Sequence, residues 1–364
     1  MCRGTSSRLT LSGWISAGWR VPFLGGLCYH CPMPKTDGKS LLAAAETALT
    51  AWDLRPDKIT LASVSENIVF RVDTPSGEAF VLRLHRPGYH SLAALEAEQQ
   101  WTSALNRAGI GAPIPRPTAD GRRYTEVALP HRGETRFAGL AEWVEGVAMG
   151  AVMADERDES VLLGRFRQVG QMAARIHNQA SGWPLPPGFQ RHSFDADGLM
   201  GDRPFWGRFW EIPQLSPGER ALILHGRRAI HRLLSAQAKS PATYSLIHAD
   251  LHPGNLILAG DRVHVIDFDD SGFGWHQYEL AVALFYNQDD PRYDAIGQAL
   301  VAGYRAVRPL SDAALALLPV FVLIRGLALL GWIHDRPELK YEYRLPGLIA
   351  RVCGQIEGLF PPVA

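Results

Sequence analysis

The sequence predicts an α+β protein of two lobes, a small β-rich N-terminal lobe and a larger helical C-terminal one. Strand-like alternation is concentrated in the first third. Helical spacing dominates the remainder, and the character of the chain changes around Trp143. With 364 residues, 46% apolar and 20% charged, the chain is long enough to bury a sizeable core.

Residues 1–33 show no sustained periodicity and are rich in Gly, Ser, Trp and Arg. A disordered tail, or the product of an early start codon, is expected there, with the ordered protein starting near Met33. Cys28-Tyr-His-Cys31 has the spacing of half a structural zinc site, but such a site needs four ligands and no second pair is near, so no metal is expected there. Leu41, Leu42, Ala45, Leu49 and Trp52 then recur at helical spacing. Ile59-Thr-Leu61 reads as a strand leading into a turn at Ser63 to Asn67. Ile68 to Val72 alternates, Pro75-Ser-Gly77 signals a hairpin, and Phe80 to Leu84 is the return strand. A helix over Leu92 to Ala108 should turn Leu92, Leu95, Trp101 and Leu105 inward. Three prolines (Pro113, Pro115, Pro117) end it, and a further strand is expected near Ala138 to Val144.

Beyond Gly146 the spacing predicts helices over Leu162 to His177 and Glu219 to Ala238, separated by a Pro/Gly/Trp-rich excursion. Short apolar strands follow at Tyr244 to Ile247, Leu256 to Leu258 and Val263 to Ile266, and helices fill the rest. The expected division is residues 34–141 as the first lobe, 142–146 as a hinge and 147–360 as the second lobe.

Lys+Arg and Asp+Glu both number 37, so no basic excess points to a nucleic-acid partner and no charge asymmetry points to a membrane surface. The apolar run from Ala313 to Ile333 contains Pro319 and Arg325. A central Arg costs roughly 2.5–3.5 kcal/mol in a spanning helix, so the run reads as a buried core helix. The N-terminal run from Leu9 to Trp19 is interrupted by Ser, Thr and Gly and makes a poor signal peptide. Four cysteines form no disulfide framework, and a cytoplasmic location is expected. Nothing in the sequence specifies an oligomeric state.

The sharpest signal is His248-Ala-Asp250-Leu-His252-Pro-Gly-Asn255, followed by a hairpin and Val265-Ile-Asp267-Phe-Asp269-Asp270. Phosphoryl transfer requires a divalent metal to neutralise the phosphates and a carboxylate to orient or deprotonate the acceptor hydroxyl. Asp250 lies on a loop after an apolar strand. Asn255 offers a neutral oxygen suited to Mg²⁺, and Asp267 ends the next strand, back at the same end of the hairpin.

This pattern, H-x-D-x-x-x-x-N followed by a strand ending in I-D-F-D, resembles the catalytic and metal-binding loops of the aminoglycoside phosphotransferase and homoserine kinase type II-like family. That family belongs to the protein-kinase-like superfamily. The resemblance implies a bilobal protein-kinase-like fold, ATP and Mg²⁺ as cofactors, Asp250 as catalytic carboxylate, and Asn255 and Asp267 as metal ligands. It extends to the first lobe. Arg83 stands on the strand where relatives often carry a nucleotide-contacting Lys, and Glu98 is its expected partner, with Glu96 as rival. Asn67 falls on the phosphate-covering turn. Glu142-Trp-Val144-Glu-Gly146 resembles the hinge, where the backbone around Glu142 and Val144 would meet adenine. The implied activity is transfer of the γ-phosphate to a hydroxyl of a small molecule, such as an amino sugar, homoserine, a choline-like alcohol or a sugar.

Further candidates surround this centre. His248 is expected to brace the loop. With His252 it also suggests a metallohydrolase pair, but Pro253-Gly254 breaks the helix that would align the two. Asp269 and Asp270 are candidate metal or substrate contacts. Trp275, His276 and Tyr278 would either line the acceptor pocket or pack in the core. Glu279 stands where family members commonly have Asp, which leaves its loop-bracing role open. Two rival functions share these motifs, a bacterial stress-response-type protein Ser/Thr kinase and a nucleotide-binding pseudokinase. The first lacks a recognisable activation segment after Asp267. The intact Asp250, Asn255 and Asp267 argue against the second, while Arg83 in place of Lys keeps it open.

Overall fold

The computed structural model describes residues 37–361 other than 155 and 261. The N-terminal segment with Cys28 and Cys31 lies outside the described residues. The first helix, α1 (Asp37–Leu49), precedes three antiparallel strands, β1 (Lys58–Val64), β2 (Ile68–Asp73) and β3 (Ala79–Leu84). After α2 (Leu92–Arg107) come β4 (Pro115–Arg116), β5 (Thr125–Leu129) and β6 (Glu134–Glu142). The strand order is β1-β2-β3-β6-β4, with β5 also paired to β6. The period-2 pattern explains the packing. Ile68, Phe70, Val72, Phe80, Leu82 and Leu84 are buried on one face, against Leu41, Ala45 and Leu49 of α1. Alternation therefore turns Arg83 to the opposite face.

Ser91 caps α2, accepting the Ala94 N–H at 3.2 Å. Leu95, Trp101 and Leu105 are buried as expected. Leu92 is 40% exposed, because it lies in the first turn, outside the packed stripe. Trp101 and Leu105 belong to the larger core of the second lobe, where Trp101 meets Phe268 edge-on at 5.5 Å. This helix is thus anchored directly beneath the Asp267–Asp270 loop.

The second lobe begins with β7 (Val147–Ala148), α3 (Met149–Met153) and α4 (Glu159–Gly182). The excursion that follows holds β8 (Ser193–Phe194) and α5 (Ala196–Met200), and α6 (Pro217–Ser235) opens with a capping box formed by Ser216 and Glu219. β9 (Tyr244–Ile247), β10 (Leu256–Ala259), β11 (Arg262–Val265) and β12 (Gly272–Trp275) form two small sheets, β11-β10-β7 and β8-β12-β9. Gly146 permits the first of these: its φ is +148°, and a Cβ there would lie 2.3 Å from the Leu258 carbonyl. The remaining helices are α7 (His276–Phe285), α8 (Tyr293–Arg305), α9 (Asp312–Leu315), α10 (Leu318–His334) and α11 (Leu345–Leu359). β12 is an addition to the expected elements, since its Gly-Phe-Gly-Trp stretch carries no alternation long enough to read. By length and composition, Asp312–His334 could cross a membrane. In the fold α10 packs against α7 and α11, with most of its residues buried.

Candidate active site

Local strand pairing assembles the centre. β10 and β11 are antiparallel with Leu256 opposite Val265, and the Ile266 N–H donates to the Asn255 carbonyl at 2.9 Å. Asn255 enters the hairpin and Asp267 leaves it, so the two flank its open end. Asp250 stands on the preceding loop. The Asn255 Nδ2 donates to both the Asp250 carbonyl and its Oδ2, each at 3.0 Å. An amide whose nitrogen is committed in this way presents Oδ1 as an acceptor, which suits a hard cation. Asp267 has a φ of +64°, in the left-handed region, and its half-exposed carboxylate is 3.0 Å from Arg83. The oxygen donors of this centre therefore fit a divalent metal.

Asp250 is held on both oxygens. Besides Asn255, the Arg325 Nη2 donates to Oδ1 at 2.5 Å, and His252 Nε2 lies 3.4 Å from Oδ2. Burial works against its ionisation, but His252 and Arg325 outweigh burial and hold the carboxyl well below the usual carboxylate range. The loop itself is braced from behind. Glu279 is fully buried, and its two oxygens accept the His248 and Ala249 N–H groups, each at 2.8 Å. Ala249 has a φ of +65°, a strained conformation that those two bonds hold in place. Burial pushes the Glu279 carboxyl up to about 8, against the pull of the two donors. The longer Glu side chain thus performs the bracing. His248 braces as well: its Nε2 donates to the Ile266 carbonyl at 2.9 Å, and Nδ1 accepts the Asp250 N–H at 3.2 Å. Its ring meets Phe268 edge-on at 4.6 Å, and burial lowers its pKa. Among the described residues no group of three or more His, Cys, Asp or Glu side chains has a metal-binding arrangement.

The other candidates separate into three positions. Asn67 donates to Asp269 Oδ2 at 3.0 Å and accepts the Arg86 N–H at 2.9 Å, so it ties the turn after β1 to the Asp267 loop. Asp269 is buried, and His85 and Arg83 beside it overcome the cost of burial and hold its carboxyl well below the usual range. Asp270 accepts the Tyr89 hydroxyl at 2.5 Å and moves the other way. Burial, with the Asp250 and Glu66 carboxylates, pushes it up to about 8.

Glu98 does not form the expected ion pair with Arg83. Arg83 contacts Asp267 instead, and Glu98 lies 4.0 Å from Arg191, because α2 packs onto the second lobe and turns this carboxylate towards that arginine. Glu98 still acts on Arg83 through space. His276 is withdrawn from any pocket. It bonds Ser245 at 2.9 Å, stacks on His177 at 4.1 Å, and lies in the core with Trp275 and Tyr278. Along the hinge, the Glu142 N–H donates to the Ile114 carbonyl at 2.9 Å. The main-chain groups of Val144 have no hydrogen-bond partner among the described residues.

Several site residues lie outside the motifs. Arg325 reads in the sequence only as a charge interrupting an apolar helix, and a buried guanidinium requires an acidic partner, which is the signal that could have found it. Glu66 pairs with Arg86 at 2.9 Å and with Arg336, closing the turn after β1 onto the C-terminal helices. Asp250, His252, Asp267, Asp269 and Asp270 all border a cavity of about 1480 Å³ walled by α10 and α11. Carboxylates outnumber arginines in its lining by eight to three.

A strand-rich lobe, a helical lobe and an Asp–Asn–Asp centre between them define a phosphotransferase of protein-kinase-like architecture. The chain belongs to the phosphotransferase enzyme family, whose profile matches residues 59–310. It is 30% identical over 230 residues to a homoserine kinase of Rhizobium johnstonii, covering 62% of this chain and 63% of the relative. It is 21% identical over 303 residues to amicoumacin kinase of Bacillus subtilis, covering 80% and 84%. Its structure matches that of a microcompartment-associated aminopropanol kinase with a TM-score of 0.73 and 32% identity, over 86% of this chain and 95% of the other. The chain is thus an ATP-dependent phosphotransferase acting on a small-molecule hydroxyl.

Proposed function

We propose that Asp250 engages the acceptor hydroxyl, that Asn255 and Asp267 hold Mg²⁺, and that Arg83 steadies the nucleotide phosphates. Residues 34–141 then serve as the nucleotide-binding lobe, 142–146 as the hinge, with Val144 offering main-chain groups to adenine, and 147–360 as the catalytic and acceptor lobe in the cytoplasm. The observation that carries this reading is the Asp250 carboxylate, gripped on both oxygens at the edge of the large cavity. A carboxylate held so far towards its ionised form is a weak base. It orients the hydroxyl by accepting its hydrogen bond and receives the proton only as the new P–O bond forms and the bond to ADP breaks. Bound Mg²⁺ supplies neutralisation of phosphate charge. Asn67, through Asp269, and Glu66, through Arg336, keep the phosphate-side turn against the second lobe.

The acceptor is proposed to carry a cationic amine as well as its hydroxyl. The acidic excess of the cavity supports this, as does Asp270, whose charge is suppressed by burial and by Asp250 and Glu66 and would be restored beside an ammonium group. The test is ATP consumption with aminopropanol, homoserine, choline and amicoumacin, each against a neutral analogue such as propane-1,2-diol. Asp250→Asn is the control. Turnover should favour the amines and fall about 100-fold or more in the variant. Equal turnover of neutral alcohols would remove the cationic acceptor, and activity surviving Asp250→Asn would remove Asp250 from its role.

A further inference from the structure

We infer that Arg325 is a positioning residue for the reaction, fixing the Asp250 carboxylate in the orientation that meets the acceptor. This rests on Asp250 being the acceptor-facing carboxylate and adds a residue that lies outside the motifs of the catalytic and metal loops.

α10 is apolar along its buried length, and Arg325 is only 5% exposed within it. A guanidinium stays charged when buried and is costly without a partner, so its contacts explain its presence. Nη2 donates to Asp250 Oδ1 at 2.5 Å and to the Tyr286 hydroxyl at 2.9 Å. Among the described residues Asp250 is its one ion-pair partner. The guanidinium carbon lies 5.9 Å from the ring centroids of both Trp206 and Tyr286, within reach of cation–π attraction. Asn255 holds the other Asp250 oxygen at 3.0 Å.

The carboxylate is therefore held by two elements remote from each other in sequence, the loop after β9 and a C-terminal helix. With one hold removed, it can rotate about its side-chain bonds. With both in place, one orientation remains. Arg325, Tyr286 and Trp206 border the same cavity as Asp250, so the wall that receives the acceptor also aims the carboxylate. A pair that served only to pin α10 to the core would gain nothing from bordering the cavity, and an apolar replacement would serve as well.

The experiment compares Arg325→Ala and Arg325→Lys in the full chain, with Asp250→Asn as reference. ATP turnover is measured with aminopropanol and with water as acceptor, together with thermal unfolding and a crystal structure of the Ala variant. For Arg325→Ala, kcat should fall about 100-fold, the scale of a ~1 Å misplacement, with the KM for ATP changed by less than about threefold. Arg325→Lys should recover part of the rate, and guanidinium added to the Ala variant should restore at least about tenfold. In the crystal, Asp250 should leave its present orientation. A folded Arg325→Ala protein with kcat within about threefold of the parent would overturn the inference, as would a loss that neither Lys nor guanidinium repairs. Turnover in the parent that does not depend on Asp250 would refute the assignment of the centre itself. The crystal structure then decides for Arg325, and an unmoved Asp250 carboxylate refutes its positioning role.

Discussion

Replacing Glu279 with Gln tests the bracing of the catalytic loop from its rear. The wild-type carboxylate accepts two main-chain N–H groups at 2.8 Å in a fully buried setting. Gln has nearly the same shape but one accepting oxygen, so its NH₂ group faces one of the two donors. A hydrogen bond to a neutral acceptor contributes about 0.5–1.5 kcal/mol, and a buried donor left unmet costs about 1–3 kcal/mol. Relief from burying an ionisable group offsets part of this, since burial already pushes the carboxyl up to about 8. A net loss of about 2–3 kcal/mol is expected. Ala249, at a φ of +65°, would relax once its N–H is released, and Asp250 is the next residue. A shift of ~1 Å there should lower kcat about 100-fold. Urea unfolding followed by tryptophan fluorescence gives the stability, and steady-state ATP consumption gives the rate. A variant within about 0.5 kcal/mol and about threefold of the parent would refute the bracing argument.

Two further outcomes follow from the same geometry. Arg83→Ala should raise the KM for ATP by about tenfold or more, with Arg83→Lys intermediate because a point charge replaces a fork; unchanged nucleotide affinity in the Ala variant would remove Arg83 from the phosphate site. His276 is held neutral by burial, with its pKa lowered to about 3, so the folded state resists protonation while the unfolded chain takes it up near pH 6.5. Its contribution is thus complete above about pH 6.5 and shrinks as pH falls, by about 1.4 kcal/mol per unit. The stability difference between the parent and His276→Phe should therefore be smaller at about pH 5.5 than at about pH 7.5, and equal differences would disprove the assignment.

The sequence by itself determined the elements whose causes are local. Alternation at Ile68 to Val72 and Phe80 to Leu84 specifies a one-sided sheet and so places Arg83 away from the core. The short hairpin between Asn255 and Asp267 brings those residues together because its strands pair across a few residues. Only the tertiary structure decided the partners. Arg83 meets Asp267 rather than Glu98, Arg325 reaches Asp250 from α10, and Glu66 meets Arg336 near the far end of the chain. Periodicity reports which face of a helix is buried, but not which other element it is buried against. An ion pair between remote helices and loops depends on that second choice, so the residues that aim Asp250 became identifiable only once α7 and α10 were packed around it.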